Sequence, residues 1–216
     1  MHKIDLLTGN EKPKILCLGA HADDIEIGCG GTILRLVEEC PKAQFHWVVF
    51  SAEGKRANEA KKSAESFLDS ITSIVIDVRA FRDSYFPFVG DAIKDHFVTL
   101  KKGFDPDIIF THFTKDAHQD HRLIGELTWN AFRDNLILEY EIAKYDADLG
   151  IPNFYVCLNE NLVKKKISKI CTLFKSQSGK EWFGEESFRS LMRIRGLESN
   201  SPSKYSEAFY CRKAIV

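Results

Sequence analysis

Ile15-Leu16-Cys17-Leu18-Gly19-Ala20-His21-Ala22-Asp23-Asp24 is the stretch that decides the fold. Its first six residues form a continuous apolar run of the length expected for a strand buried on both faces, as in a parallel sheet. A histidine and two carboxylates then crowd into four positions. Glycines follow at once, in Gly28-Cys29-Gly30-Gly31-Thr32, which reads as a turn before a helix over Thr32 to Cys40. Strand, polar cluster, glycines and helix make up the layout of a ligand site at the carboxyl end of a strand in an open α/β sheet.

A second stretch answers the first. The apolar run Ile108-Ile109-Phe110 leads through Thr111-His112 into Asp116-Ala117-His118-Gln119-Asp120-His121. Between the two, the chain alternates strand and helix: strands over Gln44 to Ala52 and Ile74 to Val78, helices over Asn58 to Leu68 and Ala92 to Lys102. Arg82 to Asp91 is aromatic and irregular. A helix over Leu123 to Phe132 follows the second cluster. Each crossover is long enough for a right-handed βαβ unit, so the expected class is α/β, a Rossmann-like three-layer αβα sandwich with a mostly parallel sheet. One domain over residues 1–216 is expected, with a regular βαβ core over 1–135 and a completing part over 136–216. In that second part Leu136 to Ile142 and Phe154 to Leu158 read as strands. Leu162 to Phe174 and Glu185 to Arg195 read as helices, and Phe209 to Ile215 as a last strand.

Composition narrows the function. The 216 residues are 44% hydrophobic and 28% charged, with a formal net charge of −1. No basic surplus points to nucleic acid, and no apolar stretch approaches the ~18 residues of a membrane span. The run Lys164-Lys165-Lys166 reads as the solvated face of a helix. The six cysteines form no Cys-x-x-Cys pair and read as reduced thiols, which with the polar start of the chain suggests the cytoplasm.

His21 and Asp24 can both ligate a divalent metal where the first strand ends. Alone they have a plainer reading, with Asp23 or Asp24 capping the next helix and His21 solvated. The second cluster has its own plain reading, with Asp120 as helix cap. Together the clusters are costly to pack unless they bind something, because four of the seven histidines (His21, His112, His118 and His121) fall at the ends of two strands. Two histidines and one carboxylate with open positions for water are the donor set of a hydrolytic zinc site, although Fe²⁺ or Co²⁺ suits the same atoms. An adjacent carboxylate then serves as general base and a histidine as electrophile and acid.

Ala20-His21-Ala22-Asp23-Asp24-Ile25-Glu26-Ile27-Gly28-Cys29-Gly30-Gly31-Thr32 resembles the signature of the PIG-L/LmbE-like zinc-dependent N-acetylglucosaminyl deacetylases, whose usual form is A-H-P-D-D-E, an apolar pair, then G-x-G-G-T. The resemblance continues at Thr111-His112, at Asp116 and through His118-Gln119-Asp120-His121. It extends to Arg56-Ala57-Asn58-Glu59-Ala60, Lys175-Ser176-Gln177 and Tyr205-Ser206-Glu207-Ala208-Phe209. It implies Zn²⁺ on His21, Asp24 and His121, with Asp23 as general base. His118 would stabilise the tetrahedral intermediate and protonate the amine, Asp120 would orient His118, and Arg56 would bind substrate. It implies a small-molecule amino-sugar substrate and allows a homo-oligomer. Ala22 stands where the family usually has Pro, and Ile25 where many members have Glu. Neither is an implied ligand.

Two other readings compete. One is a non-catalytic nucleotide or sugar-nucleotide binding module on the same scaffold; the other is a metal-dependent hydrolase of a different amide or an ester. The glycine stretch lacks full G-x-G-x-x-G spacing, and no acidic residue is clearly placed to hold a ribose, Glu53 lying in the loop. Tyr85, Phe86 and Phe88, and Trp182-Phe183, are candidates either for a sugar-stacking pocket or for loop packing. Glu207 is expected to pair with Arg193 or Arg195.

Overall fold

The computed structural model describes residues 10–215. In chain order these form β1 (Lys14–His21), α1 (Asp24–Glu39), β2 (Gln44–Ser51), α2 (Gly54–Phe67), β3 (Ser73–Val78), α3 (Gly90–Gly103), β4 (Ile108–His112) and α4 (Gln119–Ala131). They continue with β5 (Leu136–Tyr140), β6 (Phe154–Leu158), α5 (Glu160–Leu173), α6 (Glu185–Glu198) and β7 (Tyr205–Tyr210). The seven strands make one sheet in the order β3-β2-β1-β4-β5-β7-β6. β1 to β5 run parallel, and β7 lies antiparallel between β5 and β6. The mostly parallel αβα sandwich expected from the sequence is therefore present.

The central strands are apolar on both faces because both faces are covered. Alternate residues divide between two clusters. Ile15, Cys17, Phe45, Trp47 and Phe110 join a core with α1, α2, α5 and α6, whereas Leu16, Leu18, Val48, Phe50 and Ile109 pack with α3 and α4. Each large apolar side chain so buried contributes about 1.5–3 kcal/mol against exposure. No described helix is long and apolar enough to cross a membrane.

The order places the site. β1 sits between β2 and β4, so successive crossovers leave β1 in opposite directions along the sheet. A crevice opens at their carboxyl ends, where His21 closes β1 and His112 closes β4.

Several sequence expectations need correction. The glycine stretch is no turn: α1 begins at Asp24, and Gly28, Gly30 and Gly31 lie buried within it. They are required by close packing, since a Cβ at Gly28 would run into the Tyr140 ring and one at Gly30 or Gly31 into Phe67 or Leu158. Gly28→Ala should accordingly destabilise by about 1–3 kcal/mol; a thermal melt coincident with wild type would refute this packing. α2 also starts early, at Gly54, which puts Arg56 in its first turn. The last strand is Tyr205–Tyr210 rather than Phe209 to Ile215.

Lys166 is not solvated, and Glu207 pairs with neither Arg193 nor Arg195. Both Lys166 and Glu207 are buried, with Lys166 Nζ 2.6 Å from Glu207 Oε1. Glu207 Oε1 also accepts from Gly31 N (2.8 Å), and Oε2 from Thr32 N and Thr32 Oγ1 (both 2.6 Å). Lys166 donates to Ile27 O at 2.6 Å. Ile27 O and Gly31 N are partners in a regular helix; here the ion pair reaches both through the space the glycines leave. Arg195 instead holds Glu141 and Glu198.

Candidate active site

β1 ends in His21, and the chain turns at once into α1. Neither aspartate caps that helix through its side chain. Asp24 Oδ2 turns back to accept from His21 N at 2.6 Å. This local bond holds the carboxylate beside the imidazole three residues earlier. On the other side of the crevice, His118 is the N-cap of α4, its Nδ1 accepting from Asp120 N at 3.2 Å. Asp120 is thus capped and is not itself the cap. His121 lies in the first turn of α4, its ring centroid 4.6 Å from that of His118 and 5.2 Å from that of His21.

Three donor atoms converge. His21 Nδ1 is 3.2 Å from His121 Nε2 and 3.3 Å from Asp24 Oδ2, and Asp24 Oδ2 is 3.5 Å from His121 Nε2. The other ring nitrogens have carboxylates of their own. His121 Nδ1 meets Asp116 Oδ2 at 3.0 Å, while His21 Nε2 lies 3.3 Å from both Asp83 Oδ1 and Asp120 Oδ2. With carboxylates placed to accept the N–H of the other ring nitrogens, the facing nitrogens are free to serve as metal donors. Two such nitrogens and a carboxylate oxygen in mutual contact make a donor set for a cation. Atoms held at ~2.0–2.1 Å by a tetrahedral ion stand about 3.3–3.4 Å apart, so the triangle fits such an ion.

The charge states follow from this crowding. Burial works against ionising Asp24, but His121, His112 and His21 outweigh it and hold its carboxyl well below the usual range. Burial also opposes charge on His21, yet the Asp24 charge and hydrogen bonds to the carboxylates of Asp120, Asp24 and Asp83 raise its pKa. Asp23 moves the other way. Burial first, then the Asp24 charge, raise its pKa, with Arg56 pulling against them. Arg56 reaches Asp23 Oδ1 through one terminal nitrogen and Asp83 Oδ2 through the other, each at 3.3 Å. His118 is lowered by burial and by His121. His112 is wholly buried behind Asp24, with Nε2 3.1 Å from Asp24 Oδ2 and 3.0 Å from Ala20 N; burial and His121 bring it down to about 4.

His21, Asp23, Asp24, Arg56, His118 and His121 all border one cleft of about 270 Å³. Asp120 is buried beneath it, and it engages the His118 ring through its backbone N–H rather than through a hydrogen bond from its carboxylate. Its carboxylate accepts from Ser84 N (2.6 Å) and Phe86 N (3.1 Å) and lies against His21. The aromatics divide. Trp182 lines the cleft, Phe86 is buried under His21 with ring centroids 6.0 Å apart, and Tyr85 and Phe88 are exposed to solvent. Asp83, Lys144 and Tyr145, which the sequence does not single out, also line it. The available signal is position, for Asp83 follows β3 and Lys144 follows β5, both at the carboxyl edge of the parallel sheet where ligand sites collect.

Residues 16–132, more than half the chain, match the family model described as PIG-L, GlcNAc-PI de-N-acetylase. The chain belongs to the PIG-L family. The family match and the deacetylase relatives together indicate an N-deacetylase hydrolase, and both loops of the cleft lie within the matched segment. A curated protein similar to it is an uncharacterized deacetylase, YaiS, of Escherichia coli K12, 28% identical over 151 residues, covering 63% of this chain and 77% of YaiS. Among solved structures, N,N′-diacetylchitobiose deacetylase from Pyrococcus horikoshii is 22% identical with a TM-score of 0.71, covering 96% of this chain and 87% of that one. GalB, a 4-carboxy-2-hydroxymuconate hydratase from Pseudomonas putida, is 16% identical with a TM-score of 0.75, covering 94% and 98%. At these identities the structures establish the PIG-L fold alone, and the hydratase among them places the weight of any substrate assignment on the site.

Proposed function

We propose that this PIG-L chain hydrolyses the N-acetyl group of an N-acetylglucosamine-type amino sugar, with His21, Asp24 and His121 holding Zn²⁺. The observation that carries the reading is the donor triangle with Asp23 and His118 beside it in one cleft. A divalent metal held there supplies a Lewis acid that polarises the amide carbonyl and acidifies water. The chain's own groups do the rest. Asp23 accepts the proton of the attacking water, and burial beside the Asp24 charge raises its pKa above that of a free carboxylate. Arg56 fixes Asp23 and Asp83 in place, so its first role is to orient the base. His118 has its Nδ1 engaged by the Asp120 amide, so the Nε2–H is the group free to meet the tetrahedral oxyanion. With Nδ1 so engaged, a doubly protonated His118 is disfavoured. The proton taken by Asp23 then passes to the amine as the C–N bond breaks, and acetate and a free amine leave.

Stoichiometric acetate and amine from zinc-loaded protein on a panel of N-acetylated amino sugars is the expected result; acetate from none of them would overturn the reading. A second measurement addresses the metal. Asp116 fixes the ring of His121, so Asp116→Ala should weaken zinc affinity about 10–100-fold in competition with a chromophoric chelator. An unchanged affinity would remove Asp116 from that role.

A further inference from the structure

Lys144 borders the cleft, yet its charge is already spent on the protein. Its Nζ is 2.5 Å from Asp148 Oδ2, 3.0 Å from Asp116 Oδ1 and 3.8 Å from Asp146 Oδ2. Burial opposes the charge, but the bond to Asp148 and the Asp116 charge outweigh it and raise the Lys144 pKa. An ammonium so engaged is not free to hold an anionic ligand, and with no lone pair it does not ligate a metal. Its effect on the site runs through Asp116.

Asp116 is buried, and its two oxygens have different partners. Oδ2 meets His121 Nδ1 at 3.0 Å, while Oδ1 lies 3.0 Å from Lys144 Nζ and accepts from His118 N at 2.7 Å. The two oxygens of a carboxylate turn together, so whatever fixes Oδ1 also fixes where Oδ2 points. The His118 amide belongs to the same loop as Asp116, two residues on. Lys144 comes from the segment after β5 and is the contact with a different element. Asp148 joins the same two segments a second time, accepting from Ala117 N at 2.7 Å. Without the ammonium, Asp116 and Asp148 would be left as two carboxylates of like charge with nothing between them, and Asp116 would turn away. We propose that Lys144 is a positioning residue for the metal centre, holding Asp116 in the orientation that presents His121 Nε2 to the ion. This rests on the zinc reading of His21, Asp24 and His121 above and is independent of which amide is cleaved.

Zinc dissociation constants, from competition with a chromophoric chelator, decide the matter for wild type, Lys144→Met, Lys144→Arg, Asp116→Ala and the Lys144→Met/Asp116→Ala double variant, each confirmed folded by circular dichroism. Lys144→Met should weaken zinc binding about tenfold, the low end for groups that orient a metal ligand. Lys144→Arg, whose guanidinium fork can span both carboxylates, should stay within about threefold of wild type. In the Asp116→Ala background, Lys144→Met should change the affinity by less than about twofold, because the coupling passes through Asp116. Wild-type affinity in Lys144→Met would overturn the proposal. So would an equal loss with and without Asp116, the mark of a general loosening of the loop. Absence of acetate release alongside the expected zinc affinities would sink the deacetylase reading alone, whereas a wild type that binds no zinc would sink both.

Discussion

Asp23→Asn should lower kcat on an N-acetylated amino sugar by about 10²–10⁴-fold, the usual contribution of a positioned general base. The substitution keeps the shape and the contact with Arg56 but cannot accept a proton. Asp23 lies outside the donor triangle, so zinc content should stay at the wild-type level. That separation matters. Asp24, one residue on, supplies the triangle's oxygen and His21's backbone partner, so Asp24→Asn should lose metal as well as rate. The two neighbours are made different by environment. Asp24 is surrounded by imidazoles that favour its charge, whereas Asp23 is buried beside Asp24's charge with a partly exposed arginine as counterweight. Wild-type turnover in a zinc-loaded Asp23→Asn protein would contradict the assignment of the base.

Lys166→Met should cost about 3–5 kcal/mol of stability, because it leaves the Glu207 carboxylate buried without its cation. For a chain of this size that is a fall in melting temperature on the order of 10 °C. Glu207→Leu should be at least as damaging, since Gly31 N, Thr32 N and Thr32 Oγ1 would lose their acceptor inside the core. The pair's hydrogen bonds go to Ile27, Gly31 and Thr32 and not to the donor triangle, so the residual folded fraction should still bind metal. Melting within 1 °C of wild type for Lys166→Met would show that the pair does not join α1, α5 and β7.

The same pair shows where the sequence stops being informative. The strands are legible because a sheet covered on both faces writes continuous apolar runs, and β4 and β6 fall where those runs predict. The two site loops are legible because histidines and carboxylates concentrated at strand ends are costly to pack without a ligand to share. The start of α1 is not, since Gly28, Gly30 and Gly31 have poor helix propensity and their use depends on Tyr140, Phe67 and Leu158 arriving from remote parts of the chain. Lys166 looks solvated because its neighbours Lys164 and Lys165 are; only the rotation of α5 against α1 turns it inward. Glu207 points in sequence toward nearby arginines, while its partners lie 41 and 175–176 residues away. Asp120 falls to His118 by adjacency, but its carboxylate faces the segment at Ser84 and Phe86, which a linear pattern leaves as an irregular loop. Each of these features depends on a long-range contact, and local spacing carries none.

Metal content tests the central claim most directly. Elemental analysis of zinc-loaded wild-type protein and of a His21→Ala/His121→Ala variant, both confirmed folded, should give about one zinc per chain in the first and none in the second. A well-folded wild type that retains no metal would contradict the account, because His21 Nδ1, His121 Nε2 and Asp24 Oδ2 would then converge for some other reason and the hydrolysis would lack its Lewis acid.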